Sequence, residues 1–209
     1  MSVSATGTRT WVHEIRARLA SPPPVRLPAE RPGRPSAVLV PMFVNAGELW
    51  LILTKRAETL NNHSGQIAFP GGAKDPGEDS WQAALRESHE EIGMPPDRVL
   101  ELGRLDEIYA EVSDYRIVPC VGAVPFPFEP EPNENEIEDV FSVPVLAFAE
   151  VKVIEDRVIE WRGRERQIRI YHVGGHAVWG LTARIIQNLL VRLGIEPPTE
   201  AAPPAPPAR

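Results

Sequence analysis

An α+β sandwich, a sheet covered by helices, is the fold class that this sequence predicts, and three observations carry it. Two apolar runs, residues 36–45 (SAVLVPMFVN) and 48–56 (ELWLILTKR), are joined by Asn45-Ala46-Gly47, a hairpin signal. From Asp79 onward the apolar period becomes helical, and a second helical stretch closes the body of the chain before Gly194. The strand-like runs between these helices do not alternate with helices one for one, which favours hairpins over regular βαβ units.

The elements follow in order. Residues 11–19 form a short amphipathic segment, separated from the rest by six prolines between Pro22 and Pro35. After the first hairpin, residues 66–69 (QIAF) read as a short strand stopped by Pro70-Gly71-Gly72. Trp81, Leu85, Ser88 and Ile92 then stand at i, i+4, i+7 and i+11, one stripe of a helix. Asp79 with Gln82 resembles a capping box, and Gly93 supplies a C-terminal stop ahead of Pro95-Pro96. Strand-like runs follow near residues 99–105, 116–124, 151–155 and 167–171. A last helix is expected over residues 176–193, with Leu181, Ile185, Leu189 and Arg192 at helical spacing. The final EPPTEAAPPAPPAR holds six prolines and no large apolar residue, so a disordered or polyproline-like tail is expected there. The expected organisation is a short helix with a proline-rich lead-in over residues 1–35, one domain over 36–195, and a tail over 196–209. No internal repeat is present.

Composition narrows the function classes. With 43% hydrophobic residues in 209, the chain can bury a core without covalent staples. A single cysteine, Cys120, excludes a disulfide framework and a thiolate metal site. No apolar run approaches the roughly 20 residues that cross a bilayer, and the first 20 residues lack the apolar core of a signal peptide. The last residues, Pro-Pro-Ala-Arg, are not a Ser-Lys-Leu address. A cytoplasmic protein without a membrane partner is expected. The formal net charge of −7 argues against a protein that wraps nucleic acid.

The acid is concentrated. On the expected helix, Glu87, Glu90 and Glu91 stand at i, i+3 and i+4, spanning about 100° of one face. Their mutual repulsion costs a few tenths of a kcal/mol per pair unless a cation sits over them. Hard divalent cations such as Mg²⁺ take carboxylate and phosphate oxygens, so this face suits a metal that also holds a phosphorylated ligand. Glu78 either adds a fourth carboxylate or pairs with Arg86, and Gly71-Gly72 allows close backbone approach. Glu-x-x-Glu-Glu by itself is also what a solvated acidic helix face looks like.

The spacing from the glycines is more specific. Gly72, Glu78, Arg86-Glu87, Glu90-Glu91 and Gly93 resemble the signature of the Nudix hydrolases: a Gly, five residues, a Glu, seven residues, then Arg-Glu-(apolar)-x-Glu-Glu-x-Gly. Ser88 occupies the apolar slot, where a small residue still packs and no ligand is lost. The resemblance implies a Nudix-type α/β/α sandwich with a mixed sheet between helices. It also implies a hydrolase, dependent on Mg²⁺ or Mn²⁺, that cuts a nucleoside diphosphate linked to another moiety. On the matching positions Glu87 and Glu91 are implied metal ligands, with Gly71 beside them. Glu90 is implied as a further ligand or as the proton acceptor, and Arg86 as the residue that orients the carboxylates.

Upstream, Ile52-Leu53-Thr54-Lys55-Arg56-Ala57 followed by His63-x-Gly65-Gln66-Ile67-Ala68-Phe69-Pro70-Gly71-Gly72 is similar to the segment that marks the coenzyme A pyrophosphatase branch. Asn61 stands where that segment carries a spacer arginine. Residues 135–144, with Glu136, and the His176-to-Arg184 stretch are also similar to this branch. The implied substrate contacts are Lys55, Arg56, Asn61, His63, Gly71 and Gly72. Glu136 lies in an acidic run, 129–139, whose default reading is a solvated loop; the resemblance makes it a residue that reaches the metals or acts as base. The implied substrate is coenzyme A or a thioester of it. Another Nudix substrate, such as ADP-ribose, NADH or a nucleoside triphosphate, is the first alternative, and a non-catalytic ligand-sensing module the second. Oligomeric state stays open between monomer and homodimer.

Overall fold

The computed structural model describes residues 5–31, 33–58, 65–150, 154–161 and 163–196. The predicted hairpin forms from β1 (Arg34–Asn45) and β2 (Glu48–Arg56), with Met42 opposite Leu51 and Asn45 opposite Glu48. Ala46 and Gly47 both take positive φ, 51° and 87°, as a two-residue turn matched to the twist of its strands requires. The short β3 (Ile67–Ala68) continues against the end of β2, and β4 (Gly71–Ala73) lies antiparallel to the start of β1. β5 (Leu100–Arg104) and β6 (Ile108–Ala110) both pair antiparallel with β7 (Tyr115–Ala123). β7 itself runs parallel to β1 from Arg34↔Tyr115 to Met42↔Ala123. That single parallel seam makes the eight-stranded sheet mixed.

Several elements differ from the sequence reading. β8 (Ile137–Pro144) pairs with β2 from Trp50 to Arg56, so the end of the acidic stretch, residues 137–139, belongs to an edge strand rather than a loop. A second sheet holds β9 (Ile154–Trp161), β10 (Arg164–Val173) and β11 (His176–Val178). The strand expected near residues 151–155 overlaps β9, while residues 151–153 lie outside the described residues. The last helix, expected from residue 176, begins later: His176–Val178 returns as β11 against β10, with Tyr171 opposite Val178. Cross-strand pairing outcompetes helix propensity there.

Helices cover both faces of the large sheet. On one face, α2 (Ser80–Ile92) packs Ala83, Ala84 and Ile92 onto Ala37, Leu39, Ile52 and Cys120. On the other, α1 (Ala5–Ala20) and α3 (Gly180–Leu193) bury Val12, Ile15, Leu19, Ile185, Ile186 and Leu189 against Val40, Met42, Leu51, Leu53 and Val121. Each fully buried Leu or Ile of this kind contributes about 1.5–3 kcal/mol. Burial also pushes the Cys120 thiol up to about 12, which leaves it a packing group.

The proline-rich lead-in is held down by side chains from the β5–β6 loop, β7 and α3. Val25 N–H donates to Asp106 at 2.8 Å and Leu27 N–H to Glu107 at 3.0 Å. Arg116 donates to the Leu27 and Pro28 carbonyls, and Arg192 to those of Pro22 and Pro23. No helix among the described residues is long and apolar enough to cross a membrane.

Candidate active site

α2 starts and stops as its sequence dictates. The Asp79 carboxylate accepts from Trp81 N at 2.7 Å and Gln82 N at 2.9 Å, and the Gln82 side chain accepts from Asp79 N at 2.9 Å. Gly93, at φ 71°, ends it in the left-handed conformation. Ser88 is fully buried, and its hydroxyl is satisfied by the Ala84 carbonyl at 2.6 Å, so the small polar residue in the apolar slot leaves the helix seated on the sheet.

These fixed ends aim the acidic face at Gly71-Gly72. A Cβ on Gly72 would stand 2.5 Å from the Glu87 carboxylate, so only glycine permits this approach. Gly71 has φ 153°, and a side chain there would collide with the Ala37 carbonyl. Its N–H donates to Glu91 at 3.0 Å. Glu91 is 4% exposed. Burial pushes its carboxyl up to about 7, against the opposing pull of the Gly71 N–H and the Arg56 charge. Burial likewise raises Glu87, opposed by Arg86. The Glu136 charge adds to the strain on both carboxylates.

Arg86 organises the rest. Its guanidinium binds Glu78 through two bonds, 2.8 and 3.1 Å, and donates to Glu87 at 2.8 Å, to Glu90 at 3.2 Å and to the Ala73 carbonyl at 2.9 Å. The Arg86 contact holds Glu78 below its ordinary value, helped by the Asp75 N–H. Of the two sequence alternatives for Glu78, pairing with Arg86 is the one observed. Glu90 is the most exposed member, its side chain 56% open.

The other expected contacts divide. Arg56 comes to the site: its guanidinium lies 3.5 Å from Glu91. Glu136 flanks it, its carbonyl accepting from Ala57 N at 2.8 Å. The Lys55 ammonium pairs with Glu138 at 2.6 Å on the edge strand, with Glu58 at 3.9 Å. That Glu138 contact raises the lysine's pKa, and the pairing of β2 with β8 shifts register between Lys55 and Arg56. Asn61 and His63 lie outside the described residues.

No trio of acidic, imidazole or thiol side chains among the described residues is gathered closely enough to hold a cation alone. Arg86 binds Glu78, Glu87 and Glu90 together, and Arg56 contacts Glu91. The donor set nonetheless suits a hard divalent cation. It is all oxygen, and Glu87 and Glu91 are both raised by burial even with two arginines present.

Comparison with known proteins points to one family. The family model described as the NUDIX domain matches residues 33–162. A protein of Cronobacter sakazakii named "Uncharacterized Nudix hydrolase NudL" is 38% identical over 165 residues, covering 78% of this chain and 85% of that protein. Its namesake in Enterobacter sp. is 36% identical over 165 residues, with the same shares covered. The crystal structure of a MutT/nudix family protein from Enterococcus faecalis matches with TM-score 0.48 and 15% identity, over 92% of this chain and 70% of that one. With the family model spanning more than half of its length and relatives at this identity across most of it, the chain belongs to the Nudix family.

Proposed function

We propose that the protein hydrolyses the diphosphate bond of coenzyme A or its thioesters, giving 3′,5′-ADP and 4′-phosphopantetheine or its acyl form. At the coarser level, it is a Nudix hydrolase of a nucleoside diphosphate derivative. The observation that carries the proposal is the pair of desolvated carboxylates, Glu87 and Glu91, facing the bare backbone of Gly71-Gly72.

Each group then has a role. Glu87 and Glu91, with Glu90 and the Gly71 carbonyl, would hold Mg²⁺ or Mn²⁺. The cation there supplies charge neutralisation on the diphosphate and makes water more acidic. Arg86 fixes the carboxylate rotamers, so the helix presents them on a rigid platform. Among the described residues the Arg56 guanidinium makes one long contact, to Glu91, which leaves most of its five donors for a substrate phosphate. Glu136, or alternatively Glu90, accepts the proton of the water that attacks phosphorus. The P–O bond to the bridging oxygen breaks, and that oxygen leaves on the second product. Gly72 gives the room in which diphosphate and carboxylates meet. Asn61 and His63 remain proposed substrate contacts on the sequence resemblance alone.

Branch identity rests on the segment around Arg56 and Phe69-Pro70-Gly71-Gly72. Asn61, in place of the spacer arginine, favours a second reading in which ADP-ribose or NADH is cut. Incubation with Mg²⁺ and, separately, coenzyme A, ADP-ribose, NADH and a nucleoside triphosphate, with products weighed by mass spectrometry, decides between them. Masses of 3′,5′-ADP and 4′-phosphopantetheine support the proposal. Intact coenzyme A beside cleaved ADP-ribose overturns it.

A further inference from the structure

Coenzyme A carries a third phosphate, a monoester on its ribose, and the proposed reaction assigns no group to it. Any such group must be a cation that the carboxylates have not already claimed. Arg86 is saturated by Glu78, Glu87, Glu90 and the Ala73 carbonyl. Lys55 is held by Glu138. Arg56 serves the Gly71–Glu91 end of the site. Arg34 alternates to the opposite face of the sheet, its guanidinium 5.4 Å from the Tyr115 ring centroid.

Lys74 is different. Gly72 faces the Glu87 carboxylate, and alternation along the strand puts the Lys74 side chain on that same face, two residues or about 7 Å further on. The strand geometry holds that far, because Lys74 N–H donates to the Pro35 carbonyl at 2.9 Å. The Arg86 bond to the Ala73 carbonyl anchors the backbone immediately before it. Lys74 is half-buried, and its ammonium has no ion-pair partner among the described residues. Glu78, which feels the Lys74 charge, is already satisfied by Arg86 and the Asp75 N–H. A half-buried lysine in an acidic site, left without a carboxylate, is suited to an anion brought by the ligand.

We infer that Lys74 binds the ribose phosphate monoester of the substrate, apart from the scissile diphosphate, and so selects coenzyme A over nucleoside diphosphates that lack it. The spacing agrees: diphosphate and monoester are a ribose ring apart, and so are Gly72 and Lys74. The inference rests on the coenzyme A reading.

The test measures kcat/KM for coenzyme A and for coenzyme A lacking its 3′-phosphate, with the wild-type protein, Lys74→Met and Lys74→Arg, each checked for folding by circular dichroism. Losing one charge-assisted phosphate contact changes affinity about 10-fold or more. The wild type is expected to favour the 3′-phosphorylated substrate by about that factor. Lys74→Met should bring the ratio close to one through KM, and Lys74→Arg should restore most of it. If coenzyme A is cleaved without preference for the 3′-phosphate, or if Lys74→Met keeps the wild-type ratio, the inference is overturned and the coenzyme A reading stands. If the wild type leaves coenzyme A intact, the reading falls and takes the inference with it.

Discussion

Replacing Glu91 by Gln separates what this residue does for the fold from what it does for the reaction. Glu91 is 4% exposed, and its carboxyl rises from an ordinary 4.5 to about 7. At about 1.4 kcal/mol per tenfold change in proton affinity, the ionised form costs the metal-free fold about 3 kcal/mol above pH 7. Because the folded value lies above the unfolded one, the protonated form is favoured in the native state. Stability from this group is therefore full below pH 4.5 and declines as pH rises through about 7. Gln is neutral, isosteric and still accepts from the Gly71 N–H. In a chelating buffer at pH 8, Glu91→Gln should be more stable than the wild type by about 1–3 kcal/mol, and the gap should close toward pH 5. Turnover should fall by about 10²-fold or more, as when a preorganised charge is removed from a site. Urea melts in EDTA at pH 5 and pH 8, with turnover measured in Mg²⁺, read both effects. A variant less stable than wild type at pH 8, or a gap independent of pH, would refute the burial argument. Near-normal turnover would refute the assigned role.

Other perturbations read other parts of the site. Arg86→Lys cannot reproduce the simultaneous contacts to Glu78, Glu87, Glu90 and Ala73. A stability loss of about 2–4 kcal/mol with a collapse in kcat is expected from melts and assays, and wild-type kcat would contradict it. Gly72→Ala drives a methyl into the Glu87 carboxylate at 2.5 Å, so kcat should drop about 10²-fold while the far-ultraviolet spectrum is kept. For Asp106, burial works to raise the carboxyl, but the Val25 N–H and Arg192 outweigh it and the net value falls below 3.8. Its stabilisation is thus present above pH 3.8 and lost as pH falls through the lower folded value. Asp106→Asn should cost about 1–3 kcal/mol at pH 7 and speed proteolysis around residues 22–25; an unchanged cleavage rate would show that the lead-in is held by other contacts.

How much of this was legible in the sequence depended on whether the information was local. The α2 caps are written in adjacent residues, Asp79 with Gln82 and then Gly93, and the structure forms both. The Ala46-Gly47 turn is equally local. β8 was not legible, because an edge strand with acids at Glu138 and Asp139 shows no clean alternation and is specified by its pairing with β2. His176–Val178 has helical spacing to the residues after it and becomes a strand only because β10 is there to receive it. β4 carries Gly71 and Gly72, which have no side chains from which to read a period. In the site, the sequence pointed to the carboxylates and to Arg86, and favoured Arg56 over Lys55 among the basic residues. The Lys55–Glu138 contact depends on the edge strand and could not be read from the sequence.

The claim on which the rest depends is that the acidic face of α2 is a cation platform, with Glu87 and Glu91 at its centre. Mn²⁺ titration followed by electron paramagnetic resonance tests it without any substrate. The wild-type protein at pH 8 should quench the free Mn²⁺ signal saturably, and a Glu87→Gln/Glu91→Gln double variant that retains its circular dichroism spectrum should not. Equal quenching by the double variant would contradict the account and move the metal elsewhere in the molecule.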